Sequence, residues 1–299
     1  MMVEITIAIC TYKRAEIQQT LASIANQVLP EDVYIKVIVA DNDIEPTMRQ
    51  FIEETAKSLG ITLTYIHAPS RNISIARNAC LINCETQWLV FIDDDEIASN
   101  TWLSELYKTA LNENADVVLG PVISVYPNDA PNWIVKCDFH STKPVFVSGV
   151  IETGYTGNTL LKLSSQYFEN EMFNLSLGKS GGEDTDYLSR AFKKGAKLAF
   201  AENAIVHEPV PSERATLNWL IKRKFRMGQT YPLTQLTSNS SDFFTAKFIV
   251  KALSKVMFCS IMVLLSCFNP TKRYSWLLRG SFHFGVITKL VGMKNIETY

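Results

Sequence analysis

Along the first two hundred residues, two hydrophobic periods take turns. Residues 3–10 are mostly apolar and β-compatible, and they end in the polar run Thr11-Tyr12-Lys13-Arg14. Ile17, Leu21, Ile24 and Val28 then recur at helical spacing until Pro30 stops them. Residues 34–40 form a second apolar run, closed by Asp41-Asn42-Asp43; a helical pattern over 47–59 meets Gly60 at a C-cap position, and a third strand is expected over 61–67. A loop at 71–74 leads into a helix over about 75–83. Trp88-Leu89-Val90-Phe91-Ile92, uninterrupted and apolar, has the character of a strand buried on both faces. It runs straight into Asp93-Asp94-Asp95-Glu96. A helix over 101–112 and a strand over 116–119 continue the alternation.

Strand–helix alternation of this kind predicts an α/β fold with a mostly parallel central sheet and helices on both faces. A parallel sheet delivers its strand ends to one edge, where open α/β sheets bind ligands. The polar clusters 11–14, 41–43 and 93–96 are therefore expected to converge. Further on, prolines 121, 127, 131 and 144 predict loops with short strands over 121–150. Residues 155–161 suggest a turn into a strand. Gly178-Lys179-Ser180-Gly181-Gly182-Glu183-Asp184-Thr185-Asp186 suggests a flexible loop entering a helix over 187–194, capped by Gly195 and followed by a strand over 197–201.

Charge divides the chain. Residues 1–213 hold 16 Lys and Arg against 28 Asp and Glu, whereas residues 214–299 hold 13 against 2. We therefore expect a domain over 1–213 and a basic helical extension over 214–299, the extension facing an anionic surface. A basic helix over 217–227 is expected to end at Gly228, and 238–241 form a polar break. Residues 243–268 are long and apolar, with Lys247, Lys251 and Lys255 four apart on one helix face. The uncharged stretch 256–271 is short for a transmembrane span, so a helix lying in the membrane interface suits it better; packing against the first domain or a partner remains an alternative. The apolar runs between the tail's charges argue against nucleic acid. With no secretory signal and no Cys-x-x-Cys pair among six cysteines, the catalytic part is expected in the cytoplasm, peripheral on the inner face of the membrane.

Four adjacent acids at a strand end repel one another unless a cation neutralises them, and Mg²⁺ or Mn²⁺ bridging a diphosphate would do so. A second acidic cluster, Glu183 to Asp186, sits where a helix starts, where carboxylates are also stabilised by the helix dipole alone. One acidic cluster holding a metal, with another acid as general base, suits a metal-assisted displacement.

Five segments together resemble family 2 glycosyltransferases, and among them the succinoglycan-type exopolysaccharide glucosyltransferases. They are Ile9-Cys10-Thr11-Tyr12-Lys13-Arg14, Val39-Ala40-Asp41-Asn42, Ile73-Ser74-Ile75-Ala76-Arg77-Asn78, Phe91-Ile92-Asp93-Asp94-Asp95-Glu96 and Gly181-Gly182-Glu183-Asp184-Thr185-Asp186, in the family's order. The resemblance implies a GT-A fold, a UDP-sugar donor and inversion at the anomeric carbon. By position it implies that Asp41 meets the donor's base and that Thr11, Arg14 and Arg77 line the nucleotide pocket. Asp93 would hold the ribose with Asp94 beside it, and Asp95 would ligate the metal together with His207. Asp184, with Glu183, would supply the catalytic base. Asn72 departs from the family, whose members often carry a glycine nearby.

The resulting expectation is a transferase moving a hexose, such as glucose, from a UDP-sugar to a hydroxyl of a growing glycan. That glycan would be borne on a lipid diphosphate at the cytoplasmic membrane surface. A metal-dependent nucleotidyltransferase and a catalytically silent sugar-nucleotide-binding subunit stay open as alternatives.

Overall fold

The computed structural model describes residues 2–235 and 242–296; the polar break expected at 238–241 lies outside them. In chain order the elements are β1 (Val3–Thr11), α1 (Ile17–Ala25), β2 (Val33–Asp41), α2 (Arg49–Ser58), β3 (Leu63–His67), α3 (Ile73–Ile82), β4 (Trp88–Ile92), β5 (Ile97–Ala98) and α4 (Trp102–Glu113). Then follow β6 (Val117–Leu119), β7 (Val122–Val125), α5 (Asn132–Cys137), β8 (Phe146–Val147), β9 (Val150–Ile151), β10 (Asn158–Lys162), α6 (Glu183–Lys194), β11 (Leu198–Phe200) and β12 (Val206–Pro209). Three long helices close the chain: α7 (Leu217–Gln235), α8 (Asp242–Leu265) and α9 (Pro270–Leu290). Two compact units result. One comprises Met1–Ile123, Ser141–Lys179 and Glu183–Glu208; the other comprises Ser124–His140, Ser180–Gly182 and Pro209–Tyr299.

The first unit is built on a seven-stranded sheet in the order β11-β6-β10-β4-β1-β2-β3. Only β10 runs antiparallel to its neighbours, β4 and β6. Because successive strand side chains point to opposite faces, β1 serves two cores. Ile5, Ile7 and Ile9 pack with Leu21 and Ile24 of α1, Ile52 of α2 and Trp102 and Leu106 of α4. Ala8 and Cys10 pack with Ala76 and Cys80 of α3 and Tyr187 and Leu188 of α6. Helices on both faces bury β4 on both sides, which is why it shows no polar–apolar alternation.

Two expectations for the first unit need adjustment. Helix α6 begins at Glu183, four residues before the expected start, so the acidic cluster forms its first turn; the helix dipole stabilises acids there. Asn72 is the N-cap of α3, its side chain accepting from Ser74 N at 3.1 Å, and the helix starts at Ile73. All six cysteines are free thiols.

In the second unit, α5 is a helix where only loops and short strands were expected. Pro131 precedes it, and it buries Ile134 against Leu220 of α7 and Leu278 of α9. Helix α7 does not end at Gly228 but continues through Pro232 to Gln235. A Cβ on Gly228 would lie 1.9 Å from the Phe282 carbonyl, and one on Gly285 would lie 2.0 Å from the Phe225 carbonyl. The two glycines thus let the backbones of α7 and α9 touch, and Gly228 serves close packing rather than termination. On α8 the stretch Thr245–Leu265 is long and apolar enough to cross a membrane by length and composition, and only 11% of its apolar window is buried.

Candidate active site

Strand ends bring the first three clusters together in the first unit. β1 and β2 pair in register down to Thr11 opposite Asp41, and Asn42 N donates to the Thr11 carbonyl at 2.8 Å. On β1's other side lies β4. The Thr11 hydroxyl reaches across to donate to Asp94 Oδ2 at 2.7 Å. Thr11 therefore ties the ends of three adjacent strands. Arg14 donates to Asp94 Oδ1 at 3.0 Å and pairs with Asp95 as well.

Asp41 is fully buried. Its Oδ1 accepts from Asp43 N at 3.0 Å, and its Oδ2 from the Tyr65 hydroxyl at 2.6 Å. Burial and the Asp41 carboxylate push the Tyr65 phenol above its ordinary pKa, so Tyr65 stays a donor. Asn42 Oδ1 accepts from Asn72 N at 3.1 Å, while its buried Nδ2 has no hydrogen-bond partner. Sequence reasoning passed over Tyr65 and Asn42 as site residues. Tyr65 had one visible signal, a tyrosine on the third expected strand.

The acidic turn after β4 is crowded. Asp93 N donates to Glu96 Oε2 at 2.8 Å. Gly157, leading into β10, packs so closely that a Cβ there would be 2.7 Å from Glu96 Oε1 and 3.1 Å from Asp93 Oδ2, so any side chain at 157 would displace the Glu96 carboxylate. Burial first, then neighbouring carboxylates, raise the pKa of Glu96 well above its ordinary value. Burial also raises Asp93, with the Asp95 charge adding to it and Arg77 opposing. Asp94 is pushed up to about 7, again by burial, with Asp95 adding and Arg14 opposing. The turn holds more negative charge than its arginines balance.

The fourth cluster joins through Arg77. This α3 side chain is buried and forms an ion pair with buried Glu183 at the start of α6. Burial pulls Arg77 down, but the carboxylates of Glu183, Asp93 and Asp184 outweigh it and hold its pKa above the ordinary value. Burial raises Glu183, with Arg77 opposing, and its second oxygen, Oε2, has no hydrogen-bond partner. Asp184 is half-buried, its Oδ1 accepting from Thr185 N at 2.7 Å.

His207 lies on β12 opposite Ile97, the residue after Glu96. Among the described residues, no three His, Cys, Asp or Glu side chains form a group able to hold a metal ion, and Arg14 occupies Asp95. The donors are hard carboxylate oxygens in excess of local cations, which is the chemistry Mg²⁺ or Mn²⁺ prefers. In donor type the residues fit such an ion, which would compete with Arg14 for Asp95.

A doubly covered sheet whose strand ends gather carboxylates around two arginines is the framework of a GT-A glycosyltransferase. Residues 6–176 match the family model for glycosyl transferase family 2, and the chain belongs to that family. It is 44% identical over 295 residues to the succinoglycan biosynthesis protein ExoM of Rhizobium meliloti (strain 1021), covering 99% of this chain and 95% of that protein. The chain is thus a family 2 glycosyltransferase of the kind that serves polysaccharide synthesis. Its fold resembles the mannosyltransferase PcManGT from Pyrobaculum calidifontis in complex with GDP-Man and Mn²⁺, with a TM-score of 0.65 at 16% identity, over 96% of this chain and 87% of that one. It also resembles S. aureus TarS 1–349 in complex with UDP, with a TM-score of 0.55 at 14% identity, over 97% and 92% of the two chains.

Proposed function

We propose that the chain transfers a hexose, such as glucose, from a UDP-sugar to a hydroxyl of a lipid-linked glycan, with inversion at the anomeric carbon. The observation that carries this reading is the Arg77–Glu183 ion pair, which brings the start of α6 to the acidic turn after β4.

In this reading Asp41, oriented by Tyr65, accepts hydrogen bonds from the uracil edge, and Thr11 and Arg14 line the nucleotide pocket. Asp93 and Asp94 face the ribose and diphosphate side. Asp95 and His207 would hold Mg²⁺ or Mn²⁺, which supplies positive charge to the departing UDP. Arg77 adds a fixed positive charge nearby and holds Glu183 in place. Asp184 takes the proton from the acceptor hydroxyl as that oxygen attacks the anomeric carbon. Glu183 Oε2, having no partner of its own, accepts a hydrogen bond from the acceptor and orients it. A single displacement needs one base and inverts the anomeric centre. The ExoM similarity supports the polysaccharide context. Residues 214–299, basic and carrying the exposed apolar face of α8, support association with the cytoplasmic face of the membrane.

The test is a panel of nucleotide sugars with Mn²⁺, scoring slow hydrolysis of the donor. Release of UDP from one UDP-hexose, suppressed by EDTA, is expected. Release of pyrophosphate, or no turnover of any donor, would contradict it.

A further inference from the structure

Helix α9 is flanked by two cavities within the second unit. One, of about 440 Å³, is lined by Lys224 and Met227 of α7, Phe139 after α5, and Leu278, Arg279 and Phe282 among others of α9. The other, of about 190 Å³, lies between α7, α8 and α9, and its lining includes Lys251 and Lys255. Phe282 and His283 belong to both.

Their chemistry is one-sided. Lys224, Arg279, Lys251 and Lys255 bring cations, and among the described residues no Asp or Glu lines either cavity. Arg279 stacks over Trp276, and none of the described ion pairs involves Lys224, Lys251, Lys255 or Arg279. Lys224 is partly buried, and a partly buried cation without a counter-ion is unfavourable until an anion joins it. The lowered pKa values of Lys224 and His283 have that origin: burial first, then Arg223 beside Lys224, and Lys255 and Arg279 beside His283. The remaining walls, Phe139, Met227, Leu278 and Phe282, are apolar. Helix α8, which packs on α9, carries the exposed apolar stretch Thr245–Leu265.

We propose that this paired cavity binds the diphosphate head and first chain carbons of an isoprenoid lipid, the carrier of the glycan acceptor. Cations in both cavities suit a ligand with more than one negative charge, and the apolar walls suit the chain attached to it. The proposal rests on the lipid-linked acceptor of the preceding reading.

Calorimetric titration of the full chain with farnesyl diphosphate tests it. The wild type is expected to bind farnesyl diphosphate at least about tenfold more tightly than either farnesol or inorganic pyrophosphate. Arg279→Gln is expected to weaken binding about tenfold, and Lys224→Gln with Arg279→Gln about a hundredfold, each removing one charge-assisted contact. Arg279 is exposed, so the single variant decides the matter if circular dichroism shows the double variant unfolded. Unchanged binding by the variants overturns the proposal, and so does equal affinity for farnesol or for pyrophosphate. Displacement by phosphatidylglycerol vesicles at equal lipid phosphate would assign the cavity to bulk phospholipid and also overturn it. Wild-type protein that binds farnesyl diphosphate but releases no UDP from any donor would sustain this site and remove the transferase reading. The reverse result would remove the site alone.

Discussion

The two units handle charge and apolar surface in opposite ways. In the first, apolar side chains fill both faces of a sheet, and charge gathers at the strand ends, where acids from four segments outnumber the arginines that pair with them. In the second, the cations of residues 214–299 face few acids, and much of the apolar surface of α8 stays exposed: Phe243 is 80%, Leu264 74% and Leu265 73% exposed. A monomer rarely leaves such a contiguous apolar face uncovered without a function for it.

This contrast can be broken at its centre. Asp184→Asn is expected to lower turnover about a thousandfold while UDP affinity stays within about twofold, because removing a general base typically sacrifices ~10²–10⁴ in rate. Paired measurement of UDP release and UDP binding checks it, and parallel loss of both would make Asp184 structural. Next in size is Arg77→Ala, which strands buried Glu183 and is expected to cost about 3 kcal/mol in urea unfolding. Adding Glu183→Ala should recover part of that loss, because the stranded acid goes with it.

In the second unit the test is steric. Gly285→Ala drives a Cβ into the Phe225 carbonyl and should destabilise by about 2–3 kcal/mol. Gly280→Ala, whose Cβ would have Cys259 Cβ 3.4 Å away as its nearest neighbour, should be neutral or slightly stabilising. The smallest expected effect is a slope. His140 is buried, stacked on Trp219, and lowered by that burial to about 4. Its unfolded pKa is about 6.5, so between those values the unfolded chain binds more protons. Stability should therefore fall as pH drops from about 6.5 to 4 and level off below. Urea midpoints across that range should fall more steeply with falling pH in the wild type than in His140→Gln, and the difference between the two is the part that His140 contributes.

The sheet of the first unit was legible because β1, β2 and β4 are buried apolar runs ending in polar clusters, a pattern with one physical reading. The convergence of Thr11, Asp41 and Asp94 followed from parallel strands sharing an edge, whereas Arg77, on a helix, was placed near them only by the family resemblance. What periodicity could not show was contact between distant segments of the chain. Gly157 against Glu96 and Tyr65 on Asp41 depend on which strands become neighbours. Gly228 looked like a helix stop because a glycine does the same two things locally, ending a helix or admitting another backbone, and only α9 decides between them. Helix α5 was missed because six residues with β-branched Ile134 and Val135 carry too little helical period.

The central claim is that carboxylates from separate strand ends grip one nucleotide sugar with the help of a divalent cation. Calorimetric titration of UDP with and without Mn²⁺ tests it most directly, on wild type, Asp41→Asn and Asp95→Asn. Mn²⁺ is expected to tighten wild-type binding about tenfold or more; Asp95→Asn should lose that gain, and Asp41→Asn should bind UDP more weakly whether or not Mn²⁺ is present. UDP affinity that ignores Mn²⁺ and both substitutions would contradict the account.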